Sequence, residues 1–112
     1  MLYFTVGAFA LAAVFGLTIL VRWMSKKDAP KAVIFTHGIL AAAGLGALVV
    51  YALQNPGNFP KAGLILLAVA AVGGFYLFYK DFFKKTQPVS VAVIHAMLAV
   101  SGFIALLMFV FV

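Results

Sequence analysis

The sequence predicts an all-α integral membrane protein, a four-transmembrane-helix bundle that forms one domain over residues 1–112. The first observation is composition: the chain is 67% hydrophobic and 9% charged, with a mean hydropathy of +1.23. That leaves too few charged residues to cover the surface of a water-soluble domain. The second is the presence of four apolar segments, each longer than the roughly 20 residues that a helix needs to cross a bilayer. The third is that these segments do not alternate as the short strands of a membrane β-barrel do.

The four segments are separated by turn residues and by charges. The first extends from Leu2 to Met24, and the others cover residues 30–53, 60–82 and 88–112. Each of the last three begins with a proline, at a position in the first helical turn where a missing backbone N–H has no cost: Pro30, Pro60 and Pro88. Asp28 precedes the second segment and is expected to cap it. The loop 54–60 is rich in Asn, Pro and Gly, which is typical of a turn.

The positive charges predict how the chain crosses the membrane. The net charge is +6, and the cations lie beside the ends of the apolar segments, which indicates contact with anionic lipid and argues against nucleic-acid binding. The first connection carries Arg22, Lys26, Lys27 and Lys31, the third carries Lys80, Lys84 and Lys85, and the middle loop has only Lys61. By the positive-inside rule the first and third connections are cytoplasmic and both termini lie outside, in what we expect to be a bacterial inner membrane. The first segment lacks a preceding basic region, so we expect a retained helix and not a signal peptide.

An internal repeat relates the two halves of the chain. A shift of 58 residues aligns residues 1–54 with residues 59–112, and it matches Lys-Lys, Pro, His and Gly in one register. Each repeat has two spans, so the two copies share one orientation and are related by a pseudo-two-fold axis along the membrane normal. The second and fourth helices are then parallel. His37 and His95, which are the two histidines of the chain, are therefore expected at the same depth.

The matched histidines are the candidate functional site, because an ionisable side chain at membrane depth is costly and indicates a function. Imidazole is a common axial ligand of haem iron, so the pair predicts one haem b per chain, bound between the second and fourth helices. Small residues follow each histidine on the same helical face and are expected to make room for the ring: Ala41, Gly44, Ala99 and Gly102. Lysines near the cytoplasmic boundary are expected to neutralise its propionates: Lys26, Lys27, Lys84 and Lys85. Gly16 and Gly74 are interpreted as positions of close helix packing.

Other functions remain open at this point. The absence of cysteine excludes a disulfide framework, an iron–sulfur cluster and a thiolate zinc site. A structural zinc site needs four ligands, which two histidines supply only in a homodimer. Titrating histidines would also suit proton or small-solute conduction, and an accessory subunit of a larger membrane complex fits the same composition. No hydrolase, transferase or nucleotide-binding pattern is present, so an electron-transfer protein is favoured over an enzyme.

The four spans, with His37 and His95 on separate helices, resemble the four-helix membrane cytochromes of the b561 type. The resemblance covers the whole length as architecture and two residues as motif. It implies haem b with two histidine ligands and electron transfer, for which the expected partner is quinone or a redox protein. Proteins of that type usually carry two haems and four histidines, whereas this chain has histidines for one.

The predicted orientation can be tested with single cysteines, because the chain has none of its own. We expect Ser25→Cys to react with a membrane-impermeant maleimide only from the cytoplasmic face, and Asn58→Cys only from the outer face. Labelling of intact spheroplasts and of inside-out vesicles measures this. The opposite pattern would contradict the orientation, and labelling of both residues from both sides would indicate dual topology.

Overall fold

The computed structural model describes all 112 residues and contains four α-helices, which confirms the prediction of an all-helical chain. The helices are α1 (Leu2–Met24), α2 (Lys31–Gln54), α3 (Lys61–Lys84) and α4 (Val89–Phe111). All four are long and apolar enough to cross a membrane. A rise of about 1.5 Å per residue makes each about 35 Å long, and we therefore describe the chain as an integral membrane protein.

Proline defines where three of the helices begin. In each case it occupies the residue immediately before the first helical residue: Pro30, Pro60 and Pro88. The predicted cap from Asp28 is wrong, because the capping position of α2 is Pro30 and no side chain caps that helix. The Asp28 backbone carbonyl instead accepts a hydrogen bond from Arg22 Nε at 2.6 Å, which ties the first connection to the end of α1.

The helices pack as two hairpins placed side by side. α1 packs most extensively on α2, and α3 on α4. The hairpins meet through a smaller interface between α1 and α4 and through the smallest interface, between α2 and α3. No Cα atoms of α2 and α4 approach within 8 Å, so these two helices lie on a diagonal of the bundle, as do α1 and α3. The molecule measures 44 × 22 × 21 Å, as expected for four helices along one long axis.

One end of this bundle is strongly basic. The connections 25–30 and 85–88 lie there, together with every Lys and Arg of the chain except Lys61. We call it the basic end. Because α2 and α4 both begin at the basic end, both of their histidines are reached about 10 Å along the helix, seven residues after Pro30 and Pro88.

The interior consists of two apolar clusters, one on each side of the histidines along the bundle axis. The cluster far from the basic end contains Phe9, Leu48, Leu67 and Leu106. The cluster near the basic end contains Ile19, Trp23, Ala29, Ile34, Leu77 and Ala92. Most members have a counterpart 58 positions away in the same cluster, so both halves of the chain contribute equivalent positions to each layer.

The outer surface is apolar as well. Only 19 of 112 residues are buried, and large side chains such as Ile39 and Leu53 point outward from the bundle. An apolar surface this extensive would drive association in water, whereas hydrocarbon is a good solvent for it. The exposure pattern therefore agrees with the four membrane-spanning helices.

Two leucines of α2 test the packing of the interior. Leu48 is 0% exposed and Leu53 is 76% exposed. We expect Leu48→Ala to lower the free energy of unfolding by about 2 kcal/mol or more, because it leaves a cavity that the neighbouring helices fill incompletely. The control Leu53→Ala should change it by less than about 0.5 kcal/mol. Reversible unfolding in mixed detergent micelles, followed by circular dichroism, measures both, and equal losses would contradict the burial pattern.

Candidate functional site

His37 is held by a hydrogen bond between the two helices of the first hairpin. It lies on α2, and its Nδ1 is 2.7 Å from the backbone carbonyl oxygen of Ala12 on α1. The residue is half-buried. The neighbouring Thr36 hydroxyl donates to the Ala32 carbonyl of its own helix at 2.7 Å, as expected for a threonine inside a membrane helix.

His95 repeats this arrangement in the second hairpin. It lies on α4, and its Nδ1 is 2.7 Å from the backbone carbonyl oxygen of Ala70 on α3. Both bonds join residues separated by 25 positions in the sequence. Each histidine therefore joins its own helix to the partner helix of its hairpin, through the same ring atom and to an equivalent carbonyl.

The two imidazole rings meet in the interior of the bundle. Their centroids are 6.3 Å apart and their planes are inclined by 82°. Since α2 and α4 lie on a diagonal, the rings approach each other across the interior from opposite corners. The structure thus brings the two histidines together within one layer of the bundle.

The hydrogen bonds also fix which ring nitrogen carries the proton. A backbone carbonyl can only accept, so Nδ1 of each histidine must donate. In a neutral imidazole the other nitrogen, Nε2, then keeps a free lone pair. The site consequently offers two Nε2 lone pairs within one layer, each on a ring whose orientation is set by a bond to the backbone.

Gly16 and Gly74 belong to this site, and their interpretation as helix-packing positions alone is wrong. A Cβ atom added to Gly16 would lie 2.8 Å from Cε1 of His37, and one added to Gly74 would lie 3.2 Å from Cε1 of His95. Both glycines therefore let an imidazole lie directly against the backbone of the neighbouring helix. The signal for this role in the sequence is the spacing of 58 residues between the two glycines, which equals the spacing between the two histidines. The sequence alone does not show which helix faces a given histidine.

The small residues that follow each histidine face the neighbouring helix of the same hairpin. A Cβ on Gly44 would lie 3.0 Å from the Phe9 ring of α1, and one on Gly102 would lie 2.8 Å from Leu67 Cγ of α3. Both glycines are buried, and the intervening residues Ala41 and Ala99 are half-buried. In the structure the two glycines allow α1 to lie close to α2, and α3 to lie close to α4.

The four predicted lysines lie at the basic end and are exposed. Lys26 and Lys85 adopt left-handed backbone conformations, with φ of 59° and 53°, in the chain reversals after α1 and α3. Lys27 and Lys84 are also exposed there. The lysines thus concentrate positive charge at the end of the bundle nearer to the histidines.

A buried carboxylate at the basic end is a feature that the sequence analysis missed. Asp81 on α3 is 4% exposed. Its Oδ2 forms an ion pair with Lys31 Nζ on α2 at 2.9 Å, and its Oδ1 accepts a hydrogen bond from Gln87 Nε2 at 2.7 Å. Asp28 and Lys85 complete the lining of a cavity of about 230 Å³ at this point. The sequence does contain a sign of this site: Asp81 is one of only two acids in the chain, and it lies among the aromatic residues that end the third apolar segment.

Comparison with known proteins adds no assignment to this geometry. No protein-family model, no curated protein sequence and no solved structure matches the chain. The site must therefore be interpreted from its own residues.

Two glycines test the contact between α1 and His37. Gly16→Ala should lower the free energy of unfolding by about 1–3 kcal/mol, because the added methyl group displaces an imidazole that is hydrogen-bonded in place. The control Gly38→Ala meets nothing within 4 Å, and should leave stability unchanged or raise it by up to about 1 kcal/mol through better helix propensity. Unfolding followed by circular dichroism measures both. An increase in stability for both variants would show that His37 does not lie against Gly16.

Proposed function

We propose that the chain is a membrane b-type cytochrome that binds one haem between His37 and His95 and transfers single electrons. The observation that carries the proposal is the pair of imidazoles whose centroids lie 6.3 Å apart, each with Nδ1 bonded to a backbone carbonyl. Metal-binding histidines commonly donate their second ring N–H to a carbonyl in this way, because the bond fixes both tautomer and ring direction.

The separation of the rings supports binding of one metal ion by both. An imidazole nitrogen bonds a metal at about 2.0–2.1 Å, so two imidazoles on opposite sides of one ion have ring centres about 6 Å apart. The observed centroid distance is 6.3 Å. His37 and His95 would therefore be the two axial ligands, with little change in the distance between them.

The small residues of α1 and α3 beside the histidines are a further argument for a flat macrocycle. A ring held between diagonal helices α2 and α4 extends toward α1 and α3, and there the two walls are formed by residues with little or no side chain: Ala12, Gly16, Ala70 and Gly74. The imidazole rings themselves lie against Gly16 and Gly74, so we assign to these glycines the role of seating the two ligands, and to the small side chains of Ala12 and Ala70 that of leaving room for the macrocycle. Farther from the basic end, Gly44 and Gly102 allow the two helices within each hairpin to pack closely.

The chemistry of the bound haem would be one-electron oxidation and reduction of its iron. With His37 and His95 both bound to it, the iron would have no free position for dioxygen, which favours electron transfer over oxygen activation. The apolar clusters on both sides of the site exclude water. The exposed lysines Lys26, Lys27, Lys84 and Lys85 would balance the charge of the propionates and attract anionic lipid. The electron partner that we propose is a quinone or a redox protein.

The finer architecture belongs to the same proposal. We infer two tandem repeats related by a pseudo-two-fold axis along the membrane normal, with the lysine-rich connections in the cytoplasm of a bacterial cell. Support comes from the histidine bonds and from the buried residues, many of which form pairs 58 positions apart, such as Leu48 with Leu106. Such an axis would pass between the two imidazoles, where a symmetric ligand pair requires it.

A second function is favoured by the same hydrogen bonds. A histidine that joins two helices stabilises a membrane bundle without any ligand, so a structural or accessory subunit is the alternative. The two proposals differ in whether the Nε2 lone pairs of His37 and His95 bind iron.

Visible absorption spectra distinguish them. Protein purified from cells supplied with haem should show the Soret and α bands of low-spin haem b, at one haem per chain, because both axial positions are filled by imidazole. His37→Ala and His95→Ala should each abolish the low-spin spectrum, whereas Thr36→Ala, which removes a hydroxyl bonded within its own helix, should retain it. A folded wild-type protein without Soret absorption would contradict the cytochrome and leave the structural role.

A further inference from the structure

The cavity at the basic end is lined only by charged and polar side chains. It has a volume of about 230 Å³, and its lining consists of Asp28, Lys31, Asp81, Lys85 and Gln87. Because one water needs about 10–15 Å³ of such space, the cavity is large enough for a small charged group. It lies where the apolar helices end, which is the level of the phospholipid headgroups in a bilayer.

Two of the four charged residues in this lining are paired with each other. Lys31 Nζ of α2 is 2.9 Å from Asp81 Oδ2 of α3, and Gln87 Nε2 donates to Asp81 Oδ1 at 2.7 Å. Asp81 is 4% exposed, so the pair is a fixed wall of the cavity. These residues join the two helices that share the smallest interface of the bundle.

The other two charges of the lining have no partner of opposite sign. Asp28 and Lys85 each lie more than 4 Å from every oppositely charged side chain. The carboxylate of Asp28 has one weak contact, with Gln87 Nε2 at 3.5 Å. An unpaired acid is unexpected in a chain with eight Lys and Arg residues. The cavity therefore presents one free anion and one free cation.

This distribution of charge selects a ligand that contains both signs. The two aspartates and two lysines of the lining sum to zero, so the cavity as a whole attracts neither anions nor cations strongly. A simple anion would satisfy Lys85 and leave Asp28 unpaired, and a simple cation would do the reverse. A zwitterion can satisfy both, because its potential is complementary to that of the lining.

An apolar surface continues from the cavity toward the middle of the bundle. It consists of Phe35 on α2 with Phe78 and Phe82 on α3, whose ring centroids are 5.4–6.5 Å apart. Lys31 Nζ lies 5.6 Å from the centre of the Phe82 ring, which connects this surface to the cavity. Phe35 is 46% exposed and Phe82 is 43% exposed. A ligand that extends out of the cavity would meet aromatic rings that face hydrocarbon.

We propose that the cavity binds the headgroup of a phosphatidylethanolamine molecule, with its phosphate at Lys85, its ammonium at Asp28 and its acyl chains along Phe35 and Phe82. The ethanolamine ammonium has three N–H donors, as a lysine has, and its bond to a carboxylate is charge-assisted and strong. The other lysines of the basic end attract anionic lipid through charge alone. The cavity differs from them because it recognises a neutral lipid through two separate charges.

The test measures lipid binding to the delipidated protein in detergent by native mass spectrometry. The probes are phosphatidylethanolamine, phosphatidylcholine and phosphatidylglycerol with identical acyl chains. We expect wild type to bind one phosphatidylethanolamine about tenfold more tightly than phosphatidylcholine, whose trimethylammonium has no N–H to donate. It should also prefer phosphatidylethanolamine to phosphatidylglycerol, which has no cation for Asp28.

Two variants separate the ends of the headgroup. Asp28→Ala should bring phosphatidylethanolamine to within about twofold of phosphatidylcholine, without weakening phosphatidylglycerol, because removing an anion cannot reduce attraction for an anionic lipid. Lys85→Gln should weaken both zwitterionic lipids about tenfold through loss of the phosphate contact. The matched control Lys80→Gln removes a lysine of the same end that does not line the cavity, and should change binding by less than about twofold.

A second measurement needs no variant. Successive N-methylation of the ethanolamine group removes its N–H donors one at a time, and affinity for wild type should fall at each step toward that of phosphatidylcholine. Glycerophosphoethanolamine, the soluble headgroup without acyl chains, should compete only weakly, because it makes no contact with the phenylalanine surface.

Several results would overturn this assignment. Equal binding of the ethanolamine and choline lipids by wild type would show that the ammonium is not recognised. A preference for phosphatidylglycerol would show that the lysines act through charge alone. An unchanged preference in Asp28→Ala would place bound lipid outside the cavity, and competition by glycerophosphoethanolamine as strong as by the whole lipid would identify a soluble ligand in place of a phospholipid.

Discussion

The bond from each imidazole Nδ1–H to a backbone carbonyl organises the centre of this molecule. An imidazole inside an apolar bundle must satisfy its N–H group, and the nearest acceptors are carbonyl oxygens of the neighbouring helix. At 2.7 Å, His37 and His95 each reach one. This requires the neighbouring helix to come close without a side chain in between, which accounts for Gly16 and Gly74. Ring direction, tautomer and helix separation therefore have one common cause.

The rest of the bundle is arranged around that layer. The two apolar clusters lie before and after it along the axis, and they hold each hairpin together by side-chain packing. Hydrophobic exclusion from water does not act between helices in hydrocarbon, so close packing and interhelical hydrogen bonds carry the association. Gly44 and Gly102 extend the close approach into the cluster far from the basic end, where they meet Phe9 and Leu67, so that each hairpin is closely packed beyond its histidine.

Much of this could be predicted from the sequence, because hydropathy sets the number and length of the helices and the repeat pairs the histidines. The sequence also places His37 and Gly44 on one helical face, and in the structure both residues contact α1. The sequence does not show which helix packs against that face. In the structure α2 lies beside α1 and diagonal to α4, so Gly44 contacts Phe9 of α1 and not the fourth helix. The role of Gly16 was missed for the same reason. Asp81 was missed because its burial depends on Lys31, 50 residues away in the sequence.

The two halves differ most at the basic end, and the difference follows from the cost of burying charge. Strict symmetry would place two carboxylates or two indoles in the last interior layer, and a second buried carboxylate would need a second set of donors. The chain instead places Asp81 between α2 and α3, where Lys31 and Gln87 satisfy it, and Trp23 in the apolar cluster against which Val89 of α4 packs. The smallest helix interface is thus strengthened by an ion pair and the opposite one by apolar packing.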